Sequence, residues 1–151
     1  WTFLRERHFA MKQLISHSSE ETERIAEQFA KKLRPGDVVA YEGGLGAGKT
    51  AFTRGLAQGL GIREEVSSPT FALVNEYRGE HTLYHFDMYR VETYDDLYST
   101  GFFDYLDGEG ILAIEWSENI YGALPEGTIT VSIRTIGEND REITIEGDDR
   151  F

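Results

Sequence analysis

The chain has 151 residues, of which 40% are hydrophobic and 13% aromatic, a composition typical of one globular domain rather than of a disordered segment. It contains no cysteine, which excludes disulfide bonds and thiolate zinc sites, and no apolar run of membrane-spanning length. With no membrane-spanning run, we expect a cytoplasmic protein. The formal net charge of −12 argues against direct binding to a DNA or RNA backbone, because such binding relies on Lys and Arg.

Residues 1–10 differ in character from the rest of the chain. They mix two arginines with aromatic side chains and precede Met11, which resembles a natural start. We interpret residues 1–10 as an N-terminal extension that need not be native. A genuine N-terminal strand is the alternative. Residues 11–151 are predicted to form a single domain.

The first predicted elements are a strand, a helix and a second strand. Residues 12–16 indicate a short strand. Ser18 and Glu21 have the spacing of a capping box, and the apolar residues after them recur at helical spacing. The Arg-Pro-Gly segment 34–36 ends this helix, and residues 37–42 then read as a short buried strand.

The most informative segment is 43–50, Gly-Gly-Leu-Gly-Ala-Gly-Lys-Thr, which fits the phosphate-binding pattern G-x-x-x-x-G-K-[ST]. It lies between the strand at 37–42 and a helical pattern at 51–60, which is the context that the motif requires. Glycines let backbone N–H groups surround a polyphosphate, and a helix N-terminus adds partial positive charge. Lys49 can contact the terminal phosphates and the Thr50 hydroxyl can bind Mg²⁺. The segment predicts nucleoside triphosphate binding; a glycine-rich turn with a surface lysine is the alternative.

The remaining elements include several more strands. We predict a loop at 67–70, an antiparallel hairpin of strands 72–77 and 82–87, a short helical stretch at 95–106, a central strand at 111–114, and strands at 128–135 and 141–146. Strands alternate with helices first and form hairpins later. The sequence therefore predicts an α/β three-layer fold with a mixed sheet.

Two carboxylates are candidates for the chemistry of a triphosphate site. Glu115 ends the apolar run 111–114, and an apolar strand that finishes in a carboxylate places an anion near Mg²⁺ beside the glycine loop. Glu115 could bind Mg²⁺ or orient an attacking water; an ordinary acidic strand end is the alternative. Asp87, at the end of the second hairpin strand, could act as a base or lie near the metal.

Three other polar or aromatic residues have open interpretations. Thr70 could sense the γ-phosphate, or it could be a turn-capping hydroxyl. Trp116 is either buried packing or a lid on the site. His85 alternates with Phe86 in a strand, and a satisfied structural histidine is the more common case for such a residue.

Four segments occur together in one order and carry a resemblance: Gly-Leu-Gly-Ala-Gly-Lys-Thr at 44–50, Ser-Pro-Thr-Phe-Ala-Leu-Val-Asn-Glu-Tyr at 68–77, Tyr-His-Phe-Asp-Met-Tyr-Arg at 84–90, and Glu-Trp at 115–116. Together they resemble the TsaE family, the small ATPases of bacterial tRNA threonylcarbamoyladenosine synthesis. The resemblance runs from about Met11 to the region of Arg141, which is nearly the whole chain.

The resemblance implies a P-loop NTPase three-layer sandwich, whose mixed sheet has a parallel core plus antiparallel strands. It implies ATP and Mg²⁺ as ligands and slow, partner-dependent hydrolysis. The implied partners are a TsaB–TsaD pair, in which TsaD transfers the threonylcarbamoyl group to an adenosine beside the anticodon. ATP hydrolysis then resets the assembly, and contact with tRNA is only indirect.

The resemblance also implies residue roles. Catalysis is assigned to Lys49, Asp87 and Glu115, and Mg²⁺ binding to Thr50 and Glu115. The residues expected to contact the nucleotide are Leu45, Gly46, Ala47, Gly48, Lys49, Thr50, Thr70 and Trp116. Ala51 departs from the family, because many members carry a second threonine there, and residues 1–10 have no family counterpart.

Three rival functions stay open. A GTPase would need a guanine-reading Asn-Lys-x-Asp, which the sequence lacks. A small-molecule P-loop kinase would need an arginine-bearing lid and an acceptor pocket, and no arginine cluster stands out. A non-catalytic, nucleotide-gated binding module would need the glycine loop but not the carboxylates.

Overall fold

The computed structural model describes residues 11–43, 48–66, 73–147 and 150–151. The strands within these ranges are β1 (Met11–Ser16), β2 (Val38–Glu42), β3 (Val74–Tyr77), β4 (Leu83–Asp87), β5 (Ile111–Glu115), β6 (Ile129–Thr135) and β7 (Arg141–Glu146). The α-helices are α1 (Ser19–Ala30), α2 (Lys49–Gly59), α3 (Tyr94–Ser99) and α4 (Phe102–Leu106), and a 3₁₀ helix covers Ser117–Ala123. The predicted N-terminal extension, residues 1–10, lies outside the described residues.

The strands form one sheet in the order β1-β7-β6-β2-β5-β4-β3. Its centre is parallel, because β2 pairs in parallel with both β5 and β6, and β4 pairs in parallel with β5. Antiparallel pairs complete both edges: β3 with β4 on one side, and β6 with β7 and β7 with β1 on the other. The predicted mixed sheet and the predicted hairpin are both confirmed.

Helices cover both faces of this sheet. On one face, Val39 and neighbouring strand residues pack with Phe29 of α1 and Phe52 of α2. On the other face, Phe86 and Leu112 pack with residues of α3, α4 and the 3₁₀ helix. Successive strand side chains alternate between these two clusters, as the twofold period of a strand requires. The predicted three-layer α/β architecture is therefore confirmed.

The helical stretch predicted at 95–106 is confirmed, but it consists of two short helices. α3 ends at Ser99 and α4 begins at Phe102. Gly101 lies between them with φ of 79°, a left-handed conformation that interrupts the helical hydrogen-bond ladder and that glycine adopts without steric cost. Thr93 begins α3 with a complete capping box to Asp96, which the sequence reading missed.

The capping box predicted at Ser18 is only half formed. The Ser18 side chain accepts a hydrogen bond from the backbone N–H of Glu21 at 3.0 Å, as predicted. The Glu21 carboxylate, however, accepts from the backbone N–H of His17 at 3.2 Å instead of that of Ser18. The Glu21 side chain thus bonds to the residue before the N-cap instead of to the N-cap residue itself. Ser18 is nevertheless the N-cap residue, so α1 begins at the predicted place.

The C-terminal residues pack back onto the domain. Arg150 donates to both carboxylate oxygens of Asp37, at 3.0 and 3.2 Å, and the Phe151 ring lies 4.5 Å from the Phe29 ring between centroids. The bidentate geometry fixes the orientation of the guanidinium as well as its position. The end of the chain is thereby attached to the turn that precedes β2.

Two glycines of α2 allow it to lie unusually close to α1. A Cβ atom on Gly55 would overlap the Glu23 carbonyl oxygen and lie 2.8 Å from the Ala26 Cβ. A Cβ on Gly59 would lie 2.6 Å from the Ala30 Cβ. This close packing matters for the site because α2 begins at the phosphate-binding motif.

We expect Gly55→Ala to destabilise the fold. The overlapped atoms include backbone, which cannot move aside. We therefore expect the overlap to lower the free energy of unfolding by an amount near the upper end of the range of about 1–3 kcal/mol. That exceeds the roughly 1 kcal/mol that alanine gains over glycine in a helix. Denaturant unfolding measures it. Gly122→Ala is the matched control, since a Cβ there meets no heavy atom within 4 Å and should leave stability nearly unchanged. A Gly55→Ala protein as stable as wild type would contradict the packing argument.

Candidate functional site

The candidate site lies where the central parallel strands end. Gly43 directly follows β2, while Asp87 and Glu115 are the last residues of β4 and β5. Asp87 and Glu115 are also register partners across these neighbouring strands. Ligands of open α/β sheets bind in the crevice beyond the carboxyl ends of parallel strands, and β2, with later strands on both sides, lies at such a place.

The described part of the glycine segment needs glycine for steric reasons. Gly43 has φ of 137°, and a Cβ there would overlap the Ile133 carbonyl oxygen of β6. Gly48 has φ of 101° and caps α2 without any side-chain hydrogen bond. The N–H groups of the first turn of α2 are therefore not capped by that residue and can face an anion. Leu45, Gly46 and Ala47 lie outside the described residues.

Lys49 reaches from the start of α2 across the strand ends. Its Nζ donates to the Gly43 carbonyl oxygen at 3.2 Å and lies 5.8 Å from the centroid of the Trp116 ring. Its charge also acts on the Glu115 carboxylate. Thr50, the next residue of α2, is exposed in the first turn. The structure thus places the predicted phosphate-binding cation beside the predicted metal carboxylate.

Glu115 is held by a buried histidine. Glu115 Oε2 lies 2.6 Å from His85 Nε2, and the side chains of Glu115 and His85 are 15% and 1% exposed. Burial raises the pKa of Glu115, but the His85 hydrogen bond and the charges of His85 and Lys49 outweigh burial, so its net pKa is lowered. A carboxylate with a lowered pKa contributes stability at neutral pH, and this contribution is lost as the pH falls below the usual value of 4.5.

His85 is not the fully satisfied structural histidine that the sequence suggested. Its Nδ1 is buried and has no hydrogen-bond partner among the described residues. The strand period in the sequence could have placed His85 on the same face as the candidate carboxylate Asp87, because residues two apart on a strand share a face. His85 lies two residues before Asp87 and therefore points to the same side of the sheet.

Asp87 is positioned by a local turn. Its Oδ1 accepts a hydrogen bond from the backbone N–H of Tyr89 at 2.9 Å, and its side chain is half-buried. The structure brings this carboxylate to the same strand end as Glu115. Whether Asp87 acts as a base or lies near a metal stays a prediction.

Trp116 connects Lys49 to the segment after β4. Its φ of 59° is positive, and no other described non-glycine residue has a positive φ. Its ring packs edge-on against Tyr89 at 4.9 Å between centroids, and Asn119 donates to the Met88 carbonyl oxygen at 2.8 Å. Trp116 combines packing with a contact to the candidate phosphate-binding lysine.

A buried hydroxyl pair supports the start of α2, and sequence reasoning missed it. Thr53 Oγ1 lies 2.8 Å from the Lys49 carbonyl oxygen and 2.8 Å from the Tyr41 hydroxyl oxygen. A carbonyl can only accept, so the single Thr53 proton serves Lys49 and the Tyr41 hydroxyl donates to Thr53. Burial raises the pKa of Tyr41, which keeps that hydroxyl protonated. These contacts tie β2 to α2 directly beneath the glycine segment.

The residues present fit a magnesium ion that is held jointly with a nucleotide. In the part of the chain that the structure describes, no three His, Asp or Glu side chains converge on a closed metal site. Mg²⁺ does not require one, since it usually takes one or two protein oxygens and completes its shell with water and substrate phosphates. Thr50 and Glu115 offer the oxygen chemistry that it prefers. Thr70, which was predicted to contact the nucleotide, lies outside the described residues.

None of the described helices is long and apolar enough to span a bilayer.

Comparison with known proteins identifies relatives over nearly the whole chain. Residues 16–143 match the model of the family "Threonylcarbamoyl adenosine biosynthesis protein TsaE". A Treponema pallidum protein named tRNA threonylcarbamoyladenosine biosynthesis protein TsaE is 44% identical over 131 residues, which is 87% of this chain and 97% of that protein. Proteins of the same name from Bacillus subtilis and Aquifex aeolicus are 45% and 38% identical, over 83% and 89% of this chain and 78% and 96% of theirs.

A solved structure supports the same fold. The crystal structure of Bacillus subtilis YdiB superposes with a TM-score of 0.74 at 36% sequence identity, and the match covers 93% of this chain and 88% of that one. The α/β fold class of P-loop NTPases, with a mixed sheet, is therefore confirmed.

Proposed function

This chain belongs to the TsaE family, whose members are named for tRNA threonylcarbamoyladenosine biosynthesis, and we propose that it is the ATP-binding, Mg²⁺-dependent ATP-hydrolysing subunit of that system. The observation that carries the proposal is one cluster at the strand ends. There the charge of Lys49, which follows Gly48 at the start of α2, acts on Glu115, and Asp87 is the register partner of Glu115 on the neighbouring strand.

Three features at the start of α2 support phosphate binding there. The uncapped N–H groups behind Gly48, the helix dipole and the Lys49 ammonium all favour an anion at the same place. In the proposed complex Lys49 leaves the Gly43 carbonyl oxygen and contacts the terminal phosphates. A bound Mg²⁺ would neutralise phosphate charge, held by the Thr50 hydroxyl and, directly or through water, by Glu115.

Hydrolysis needs a residue that orients the attacking water, and Glu115 or Asp87 can do this. Both carboxylates lie at the same strand end as Lys49, and the lowered pKa keeps Glu115 ionised at neutral pH. An ionised carboxylate accepts a hydrogen bond from water and can take up its proton. Glu115 is our first choice because its position is fixed by His85.

The proposed partners are a TsaB–TsaD-type pair, which ATP hydrolysis returns to a state ready for the next turnover. The net charge of −12 supports contact with proteins rather than with tRNA phosphates. A cytoplasmic location follows from this role.

We expect ATP hydrolysis by the isolated protein to be slow and to rise strongly when the TsaB–TsaD pair is added. Phosphate release, measured with and without the pair, tests this, and product analysis should find inorganic phosphate but no phosphorylated small molecule. GTP in place of ATP is the control for the nucleotide base, since the sequence lacks a guanine-reading motif.

Two outcomes would contradict the proposal. A phosphorylated acceptor would indicate a kinase. Support of partner turnover by a non-hydrolysable ATP analogue, at the rate seen with ATP, would indicate a nucleotide-gated binding module.

A further inference from the structure

The starting observation is the contact between His85 and Glu115 on neighbouring strands. His85 lies opposite Ala113 in the parallel register of β4 and β5, two positions before the Asp87–Glu115 pair. Ala113 is fully buried and has the smallest side chain that carries a Cβ, so it leaves room for the imidazole beneath Glu115. The ring is 1% exposed, and its Nε2 lies 2.6 Å from Glu115 Oε2.

The surroundings of the ring fix which nitrogen carries the proton. The ionised Glu115 carboxylate can only accept, so the hydrogen bond requires an N–H at His85 Nε2. His85 Nδ1 has no partner among the described residues. The arrangement therefore requires a proton on Nε2.

We propose that His85 is a positioning residue that aims the Glu115 carboxylate at the nucleotide site. This inference rests on the proposed ATP hydrolysis. The Nε2–H bond holds Oε2 at the buried side of Glu115, so the Oε1 oxygen is the one presented to the metal or to the attacking water. Histidine and carboxylate pairs fix the geometry of reactive oxygens in this way, through a buried partner that touches no substrate.

A purely structural role does not account for the choice of residue. Leucine or methionine would fill a buried space of this size without burying a nitrogen that lacks a partner among the described residues, and Leu83 and Ala113, on the interior side of His85, are apolar. The cost of burying an imidazole here is explained if the bond at Nε2 is what the site requires.

The test compares three single variants. His85→Leu removes the donor, and His85→Gln keeps an amide N–H that can reach Glu115. Phe86→Leu is the matched control, because Phe86 is fully buried on the same strand but faces the opposite cluster. Each variant is measured for thermal stability, for ATP affinity without turnover, and for kcat with the TsaB–TsaD pair.

We expect His85→Leu to lower kcat by about 10- to 100-fold, the range for loss of a residue that orients a reactive ligand. ATP affinity should change by less than about threefold, since the start of α2 is untouched, and His85→Gln should recover most of kcat. Phe86→Leu should lose stability without this kcat defect. The proposal is overturned if His85→Leu keeps the kcat of Phe86→Leu, or if His85→Gln is as impaired as His85→Leu.

A second readout needs no activity. Long-range ¹H–¹⁵N NMR spectra of the wild type should show a proton on His85 Nε2, and Glu115→Ala should release that proton to faster exchange with water. A proton on Nδ1 alone would overturn the proposal. A wild type that shows the Nε2 signal but hydrolyses no ATP under any condition would count against the proposed function and leave the hydrogen bond established.

Discussion

The Lys49→Ala protein is expected to lose ATP hydrolysis almost completely, with a fall in kcat of about 100- to 1,000-fold and weaker ATP binding. Lys49 Nζ is held at the strand ends by the Gly43 carbonyl oxygen and the Trp116 ring. The ammonium therefore lies near the strand ends, where we propose that the terminal phosphates bind. Removing it would leave the negative charge of the transition state without this cation. Phosphate release with the TsaB–TsaD pair and equilibrium ATP binding measure the two effects.

Lys31→Ala is the control for the loss of one positive charge. Lys31 is exposed at the end of α1 and its contact with Glu27 is a weak surface pair at 4.0 Å. It should bind and hydrolyse ATP as the wild type does. Wild-type hydrolysis by Lys49→Ala would show that the glycine segment is not the catalytic phosphate site.

Replacement of Glu115 by glutamine is expected to separate binding from hydrolysis. The amide cannot take up a proton from water, so kcat should fall by about 100- to 10,000-fold. ATP affinity should be unchanged or higher, because a negative charge beside the phosphates is removed. Single-turnover phosphate release and ATP binding with the same preparation measure both quantities.

The magnesium dependence of the same variant separates the two roles of Glu115. A requirement for much more Mg²⁺ would identify a metal ligand, and a lower kcat at an unchanged Mg²⁺ requirement would identify a residue that orients water. Glu118→Gln is the matched control, since Glu118 is exposed three residues further along the chain. This variant should leave kcat and the Mg²⁺ requirement unchanged. Full partner turnover by Glu115→Gln would refute any catalytic role for this carboxylate.

Much of the fold could be predicted because its signals are local. The apolar runs at β2 and β5 are buried on both faces, as central parallel strands are, and each is followed by a distinctive polar or glycine residue. The hairpin of β3 and β4 was marked by its short polar turn. The break at Gly101 was missed because apolar residues continue on both sides of it, and the helical pattern alone gives no sign of a left-handed residue.

The site was predictable in its parts but not in its internal contacts. Lys49 and Glu115 were identified by their places after glycines and after an apolar strand. Their proximity depends on the sheet order, in which β5 lies beside β2 although three described helices and a hairpin separate them in the chain. The His85–Glu115 bond depends in addition on the parallel register of β4 and β5, which no local pattern encodes. The same holds for Arg150 and Asp37, whose contact joins residues 113 positions apart.

The pairing of β1 with β7 has a consequence for synthesis of the protein on the ribosome. Met11 pairs with Glu146, so the first strand of the sheet must wait until 135 later positions have been translated. At 5 to 20 residues per second this delay is roughly 7 to 27 seconds. By the time β7 is complete, β2 to β5 have been translated and are available to assemble, whereas β1 pairs with none of the described strands before β7. The centre of the sheet, which carries the candidate site, can thus form before the edge that closes it, and β1 is the strand most dependent on shielding during translation.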